Sequence, residues 1–155
     1  RAKTGYDGAI PSGNSIAVLV LNRLYRITGN PKWSDLSEKT LRSFSQDLKR
    51  APSGYTAMIL GFMYDAYGSK EIVVVGNGKY DETQSILKEL QSLYIPQKIM
   101  IFKDTNKRRN QITKIASWTE NHSMKNNKPT IYICEDFACR LPTTDLEKAK
   151  ELIQN

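Results

Sequence analysis

Residues 71–76 read EIVVVG, and residues 77–94 continue as NGKYDETQSILKELQSLY. A β-branched run closed by Gly76-Asn77-Gly78 reads as a buried strand, while the segment after it has the spacing of an amphipathic helix. Asp81 stands at the expected start of that helix with Gln84 three residues on, as in a capping box. KIMIF (98–102) and TIYIC (130–134) repeat the strand signature, and QITKIASWTE (111–120) reads as a weaker helix. Thr144 to Glu147 reads as a capping box for a last helix that buries Leu146, Ala149, Leu152 and Ile153. The order β-α-β-(α)-β-α implies a small, mostly parallel three-stranded α/β lobe with right-handed crossovers.

Upstream of residue 70 the signals are helical only. SIAVLVLNRLYRIT (15–28) is apolar on nearly every side, which predicts a helix buried all round. Gly29-Asn30-Pro31 then breaks the chain, with Gly29 suited to a C′ position, Asn30 to an N-cap and Pro31 to a first turn. The helix expected over 31–50 carries a narrow stripe of Trp33, Leu36, Leu41, Phe44 and Leu48. GYTAMILGFMYDAYG (54–68) is again apolar nearly all round. Buried, half-exposed and buried helices in series are expected of three antiparallel helices from an incomplete α/α barrel. A repeat supports this, because Pro11-Ser12-Gly13 and Pro52-Ser53-Gly54 stand 41 residues apart, each before an apolar helix.

Composition limits the classes of function. Hydrophobic residues make up 39% and charged residues 25%, as in ordinary globular chains. No apolar run approaches the roughly 20 residues of a membrane span, and no signal peptide opens the chain. An Arg rather than a Met at position 1 is what a piece of a longer polypeptide, or a processed product, shows. A net charge of +7 permits acidic partners without requiring them. The one basic cluster, with Lys103, Lys107, Arg108 and Arg109, reads as a solvated loop, and no nucleic-acid-binding signature accompanies it.

Several familiar chemistries fail on inventory. Gly76-Asn77-Gly78 lacks the third glycine of a dinucleotide loop, with Asp81 in its place. His122 is the single histidine and reads as a solvent-facing loop residue with no nucleophile elbow near it. Cys134 and Cys139 with one His cannot make a four-ligand zinc site, and C-x-x-C redox spacing is absent. A disulfide or two free thiols, with no metal, are both open, and such low cysteine use suits a reducing, cytoplasmic setting. Asp7 precedes the first Pro-Ser-Gly loop, whereas Asp65 falls near the far end of the third helix. Glycoside chemistry usually needs two facing carboxyls, and only Asp7 is placed for it.

YDGAIPSGNSIAVLVLNRL, IVVVG and CEDFACRLP, in that order, resemble the end of the spermatogenesis-associated, YyaL-type family. The resemblance implies a thioredoxin-like domain and an α/α six-hairpin barrel, related to sugar epimerases and glycosidases, in the complete protein. It makes residues 1–69 the last barrel hairpins and residues 70–155 a C-terminal α/β appendage. Asp7, Gly8, Ala9, Pro11, Ser12, Gly13, Asn14 and Ser15 match the barrel loop, and Cys134, Cys139 and Pro142 match a terminal C-x4-C-x-x-P pattern. The expectation is a fragment of a carbohydrate-processing-like protein, inactive alone, that supplies one wall of a polar cavity. Asp7 is its candidate catalytic residue, and Ser12, Gly13, Asn14, Ser15, Ser53 and Tyr55 its candidate ligand-binding residues. No cofactor is expected. The expected partners are the rest of its own chain, a carbohydrate and, for the fragment, further copies of itself, but neither specific nucleic acid nor a membrane. The alternative is a non-enzymatic binding or scaffolding module.

Overall fold

The computed structural model describes residues 4–106 and 111–154. Two compact units divide the chain: Arg1–Arg26 with Asn30–Gly68, and Ile27–Gly29 with Ser69–Asn155.

In the first unit, α1 (Gly13–Thr28) ends at Gly29, whose φ of +69° suits a residue without a Cβ. α2 (Pro31–Ser43) starts with Pro31, and the Asn30 side chain accepts from the Lys32 N–H at 3.0 Å. The single helix expected over 31–50 is broken. At Phe44 the N–H bonds to the Leu41 carbonyl three residues back, and the side chain turns inward to the core, separating α2 from α3 (Ser45–Arg50). A 3-10 turn over Pro52–Gly54 leads into α4 (Thr56–Ala66). Val18, Phe44 and Met58 form the core, flanked by Leu41, Leu48 and Tyr55.

α1 and α4 lie side by side and run the same way. The Asn22 amide donates to the Gly61 carbonyl at 2.8 Å, and the Arg26 guanidinium to the Tyr64 carbonyl at 3.1 Å. Neither helix is buried all round as its composition predicted. α1 buries Ser15, Val18, Asn22 and Arg26 while Ile16 and Val20 are exposed. α4 buries Met58, Gly61 and Tyr64 and exposes Leu60 and Phe62. Polar and small residues therefore join Val18, Met58 and Tyr64 on the buried sides, while part of the apolar surface of each helix faces out.

The second unit corrects the predicted lobe of three mostly parallel strands. Four strands, β1 (Lys70–Gly76), β2 (Lys98–Asp104), β3 (Thr130–Glu135) and β4 (Ala138–Cys139), lie in the order β2-β1-β3-β4. Only β1 and β2 pair in parallel; β3 is antiparallel to β1, and β4 to β3. α5 (Asp81–Ser92) makes the one crossover, and the Lys98 ammonium closes its C-terminal end by donating to the carbonyls of Leu90, Gln91 and Leu93. Between β2 and β3 the described residues hold α6 (Ile112–Ile115) and a 3-10 turn over Ser117–Thr119. β3 starts at the end where β2 stopped, with Thr130 opposite Val75, and so runs antiparallel to β1.

The β3–β4 link is a two-residue hairpin with Asp136 and Phe137 both at positive φ, the primed turn that matches strand twist. α7 (Leu146–Gln154) is capped by Asp145, whose carboxylate accepts from Glu147 and Lys148 N–H, rather than by Thr144. α5 and α7 cover one sheet face, where Ile72, Val74, Ile86, Leu90, Ile131, Ile133, Ala149 and Ile153 form the core. Among the described residues no helix is long and apolar enough to cross a membrane.

Candidate functional site

Asp7 joins the two Pro-Ser-Gly loops. One carboxylate oxygen accepts from the Ser12 N–H at 2.8 Å, and the other from Ala57 at 2.9 Å and Met58 at 3.4 Å. The Asp7 N–H donates in turn to the Gly54 carbonyl at 2.7 Å. The starts of α1 and α4 are thus held together by one side chain. A carboxylate here satisfies N–H groups that have no partner inside either helix and meets the positive end of both helix dipoles. Burial works to raise its pKa, but hydrogen bonds from Ser12, Ser15, Ala57 and Met58 outweigh it and hold the carboxyl below the usual range. Such a group stays ionised at neutral pH and has little capacity to act as a proton donor.

The neighbouring polar residues are also engaged. Ser12 caps α1 by accepting from the Ser15 N–H at 3.1 Å, and the two hydroxyls lie 2.8 Å apart. Asn14 donates to the Thr4 carbonyl at 2.6 Å. Tyr55 packs edge-on to Tyr6 and tilted to Phe44, so its ring belongs to the core margin. Gly13 and Ser53 are exposed at the two loops, while Ser15 is fully buried.

Asp65 belongs elsewhere, to a groove of about 530 Å³ lined by Leu41, Leu48, Ile59 and Phe62 with Glu38 and Arg42 at its side. Burial raises the Asp65 pKa, and the Asn22 amide and Arg26 only partly oppose it. Two carboxylates, Glu38 and Asp65, therefore share a largely apolar groove, which no spacing in the sequence revealed.

The Gly76-Asn77-Gly78 turn carries its own carboxylate. Asp104 lies against it, accepting from the Asn106 N–H at 2.9 Å and the Gly78 N–H at 3.4 Å. The group in the place of a phosphate is Asp104 rather than Asp81. Lys103 leaves the basic cluster, being buried and donating to the carbonyls of Thr119, Glu120 and His122. Lys107, Arg108 and Arg109 lie outside the described residues.

His122 is not a solvent-facing loop residue. It is half-buried, its ring edge-on to Tyr132 at 4.2 Å, with Nε2 3.2 Å from the Cys139 sulfur. Cys139 forms a disulfide with Cys134, its partner across the β3–β4 pair. Cys134 is fully buried and Cys139 exposed. A cavity of about 410 Å³ opens beside them, lined by Asn121, His122, Tyr132, Cys139, Arg140 and Pro142. Burial lowers the His122 pKa, with the Thr119 backbone opposing and Lys103 reinforcing the shift. The imidazole is neutral at pH 7.

Over 153 residues, 99% of the chain, the sequence is 30% identical to a protein of Rattus norvegicus and 29% identical to its counterpart in Homo sapiens. Both are named spermatogenesis-associated protein 20. This chain is similar to them from end to end. An uncharacterized protein of Caenorhabditis elegans is 27% identical over 147 residues. The chain spans about a fifth of these relatives, 19% of each spermatogenesis-associated protein 20 and 20% of the nematode protein. No family model and no solved structure matches. The similarity to spermatogenesis-associated protein 20 runs through both units, so it includes the Asp7 loop and the Cys134–Cys139 hairpin alike.

Proposed function

We propose that this chain is a docking and scaffolding part of a longer, spermatogenesis-associated protein 20-like protein, whose helical unit completes a larger helical array. The observation that carries this reading is the set of large apolar residues that α1 and α4 leave exposed. Val18, Met58 and Tyr64 are buried together with Ser15, Asn22, Arg26 and Gly61, yet Ile16, Val20, Leu60 and Phe62 stay exposed. Exposed apolar area on this scale marks a surface made for a partner. The occupant we assign is the remainder of the longer chain, since the relatives are about five times the length of this one. In this reading Asp7 clasps two helices and does no chemistry.

Light scattering and binding of a hydrophobic dye test it on the 155-residue chain. The chain alone should associate as its concentration rises and should bind the dye. Phe62→Glu combined with Leu60→Glu should reduce both while leaving the helix content intact. A monomer that binds no dye overturns the proposal.

A second reading is favoured by the meeting of two helix starts at Asp7, because free N–H groups and nearby hydroxyls suit polar ligands. In it Ser12, Gly13, Asn14, Ser15, Ser53 and Tyr55 form part of a wall for a carbohydrate, completed by the longer protein, and Asp7 orients a hydroxyl. Shifts of the Asn14 and Ser53 amide resonances on titration with a series of mono- and disaccharides would favour this reading over scaffolding.

A further inference from the structure

We propose that Cys134, Cys139 and His122, once the disulfide is reduced, form a three-ligand site for a thiophilic metal ion, zinc(II) foremost, and that reoxidation by exchange with a small-molecule disulfide, the reverse of the reduction, expels the metal. The donor atoms Nε2 of His122 and the two sulfurs lie within 4.8 Å of one another. Two thiolates and one imidazole select zinc or copper(I) over magnesium or calcium, which take oxygen ligands. Three protein ligands with a fourth position left to solvent is the arrangement of reactive rather than purely structural zinc. The fourth position has room here, for the cavity beside Cys139 is bounded by Asn121, Tyr132 and Arg140.

The three donors are held together by contacts that owe nothing to the disulfide. Cys134 and Cys139 face each other because β3 and β4 pair in register through the Asp136–Phe137 turn. The histidine loop is fixed from two sides. Lys103 donates to its carbonyls at Thr119, Glu120 and His122, at 2.7–2.8 Å. The Tyr132 hydroxyl donates to the Ser123 carbonyl at 2.7 Å and accepts from the Ser123 N–H at 3.0 Å. Trp118 stands edge-on to the His122 ring at 5.8 Å. With backbone and ring both anchored, cutting the sulfur–sulfur bond leaves three donors already converged, the preorganisation a metal site requires.

The exchange balances with a dithiol as reductant. One thiolate of the dithiol attacks the exposed Cys139 sulfur, the bond to Cys134 breaks, and the Cys134 sulfur takes up a proton. The second thiol of the reductant then attacks the mixed disulfide, releases Cys139 and leaves as a cyclic disulfide carrying the two-electron oxidation. Zinc(II) binding to the two thiols displaces their two protons. The disulfide excludes the metal, because the neutral, singly oxidised sulfurs have lost the thiolate charge that zinc ligation requires.

Cobalt(II) serves as the probe, because thiolate-to-cobalt absorption reports sulfur ligation. The chain reduced with a phosphine and freed of it should bind one equivalent with that absorption, and zinc should displace the cobalt. The oxidised chain should bind none, and His122→Ala should weaken the reduced chain by about tenfold or more, as loss of a ligand does at least as strongly as loss of its outer partner. Comparing reduced with oxidised wild-type chain needs no variant, so a folding defect in His122→Ala does not blunt the test. Failure of the reduced chain to bind cobalt, or equal binding by the oxidised chain, overturns the proposal.

Discussion

Replacing Asp7 with Asn keeps the shape of the side chain but puts an NH2 donor where an oxygen now accepts. Either Ser12 or the pair Ala57 and Met58 then loses its acceptor. A buried N–H left so costs about 1–3 kcal/mol, to be read as a lower urea midpoint at pH 7. The pH dependence has a definite sign. The folded carboxyl titrates below its unfolded value, so the contribution is complete above about pH 4 and disappears as pH falls through the folded pKa. Wild-type and Asp7→Asn midpoints should therefore differ at pH 7 and converge in strong acid. Equal midpoints at pH 7 would show that the clasp bears no load.

Among the elements, the α1–α4 contact depends on Gly61. A Cβ there would lie 2.6 Å from Val18 Cγ1 and 2.9 Å from the Leu19 backbone nitrogen. Alanine gains about 1 kcal/mol in helix propensity, but backbone cannot yield as a side chain can, and overpacking costs about 1–3 kcal/mol. Gly61→Ala should lower the melting temperature; a rise would mean that the helices part freely. The Pro-Ser-Gly repeat made the two helix starts legible, and β-branched runs did the same for β1, β2 and β3. β4 was not legible. It is two residues long, and its turn places a phenylalanine at φ +65°, where Asn-Gly is the usual signal. The antiparallel course of β3 escaped for a related reason, since strand composition carries no direction. Nor does spacing show that His122 reaches Cys139, 17 residues on, or that Asp7 caps a helix 50 residues away. Those contacts are tertiary, made by side chains whose local sequence is unremarkable.

For the molecule as a whole, each unit has its own core, and the cores are unequal. Among the described residues Val18, Phe44, Met58 and Tyr64 are the buried apolar side chains of the first unit, far fewer than the second buries around its sheet. Hydrogen exchange should accordingly release the α1 and α4 amides before those of β1 and β3, because local opening follows the apolar area at stake. The reverse order would mean that the helical unit draws stability from elsewhere. The Cys134–Cys139 bond bears on the unfolded chain rather than on either core. It closes a ring spanning five sequence steps in a chain of 155 residues. Chain-entropy arguments give so small a ring about 2 kcal/mol, against about 4.7 for a loop of 100 residues. The bond restrains the denatured ensemble less than half as much as a long cross-link would, so reduction should shift the melting temperature by less than about 10 °C. The bond is thus cheap to open and close, and a thiol-rich environment can cycle it without unfolding the protein around it.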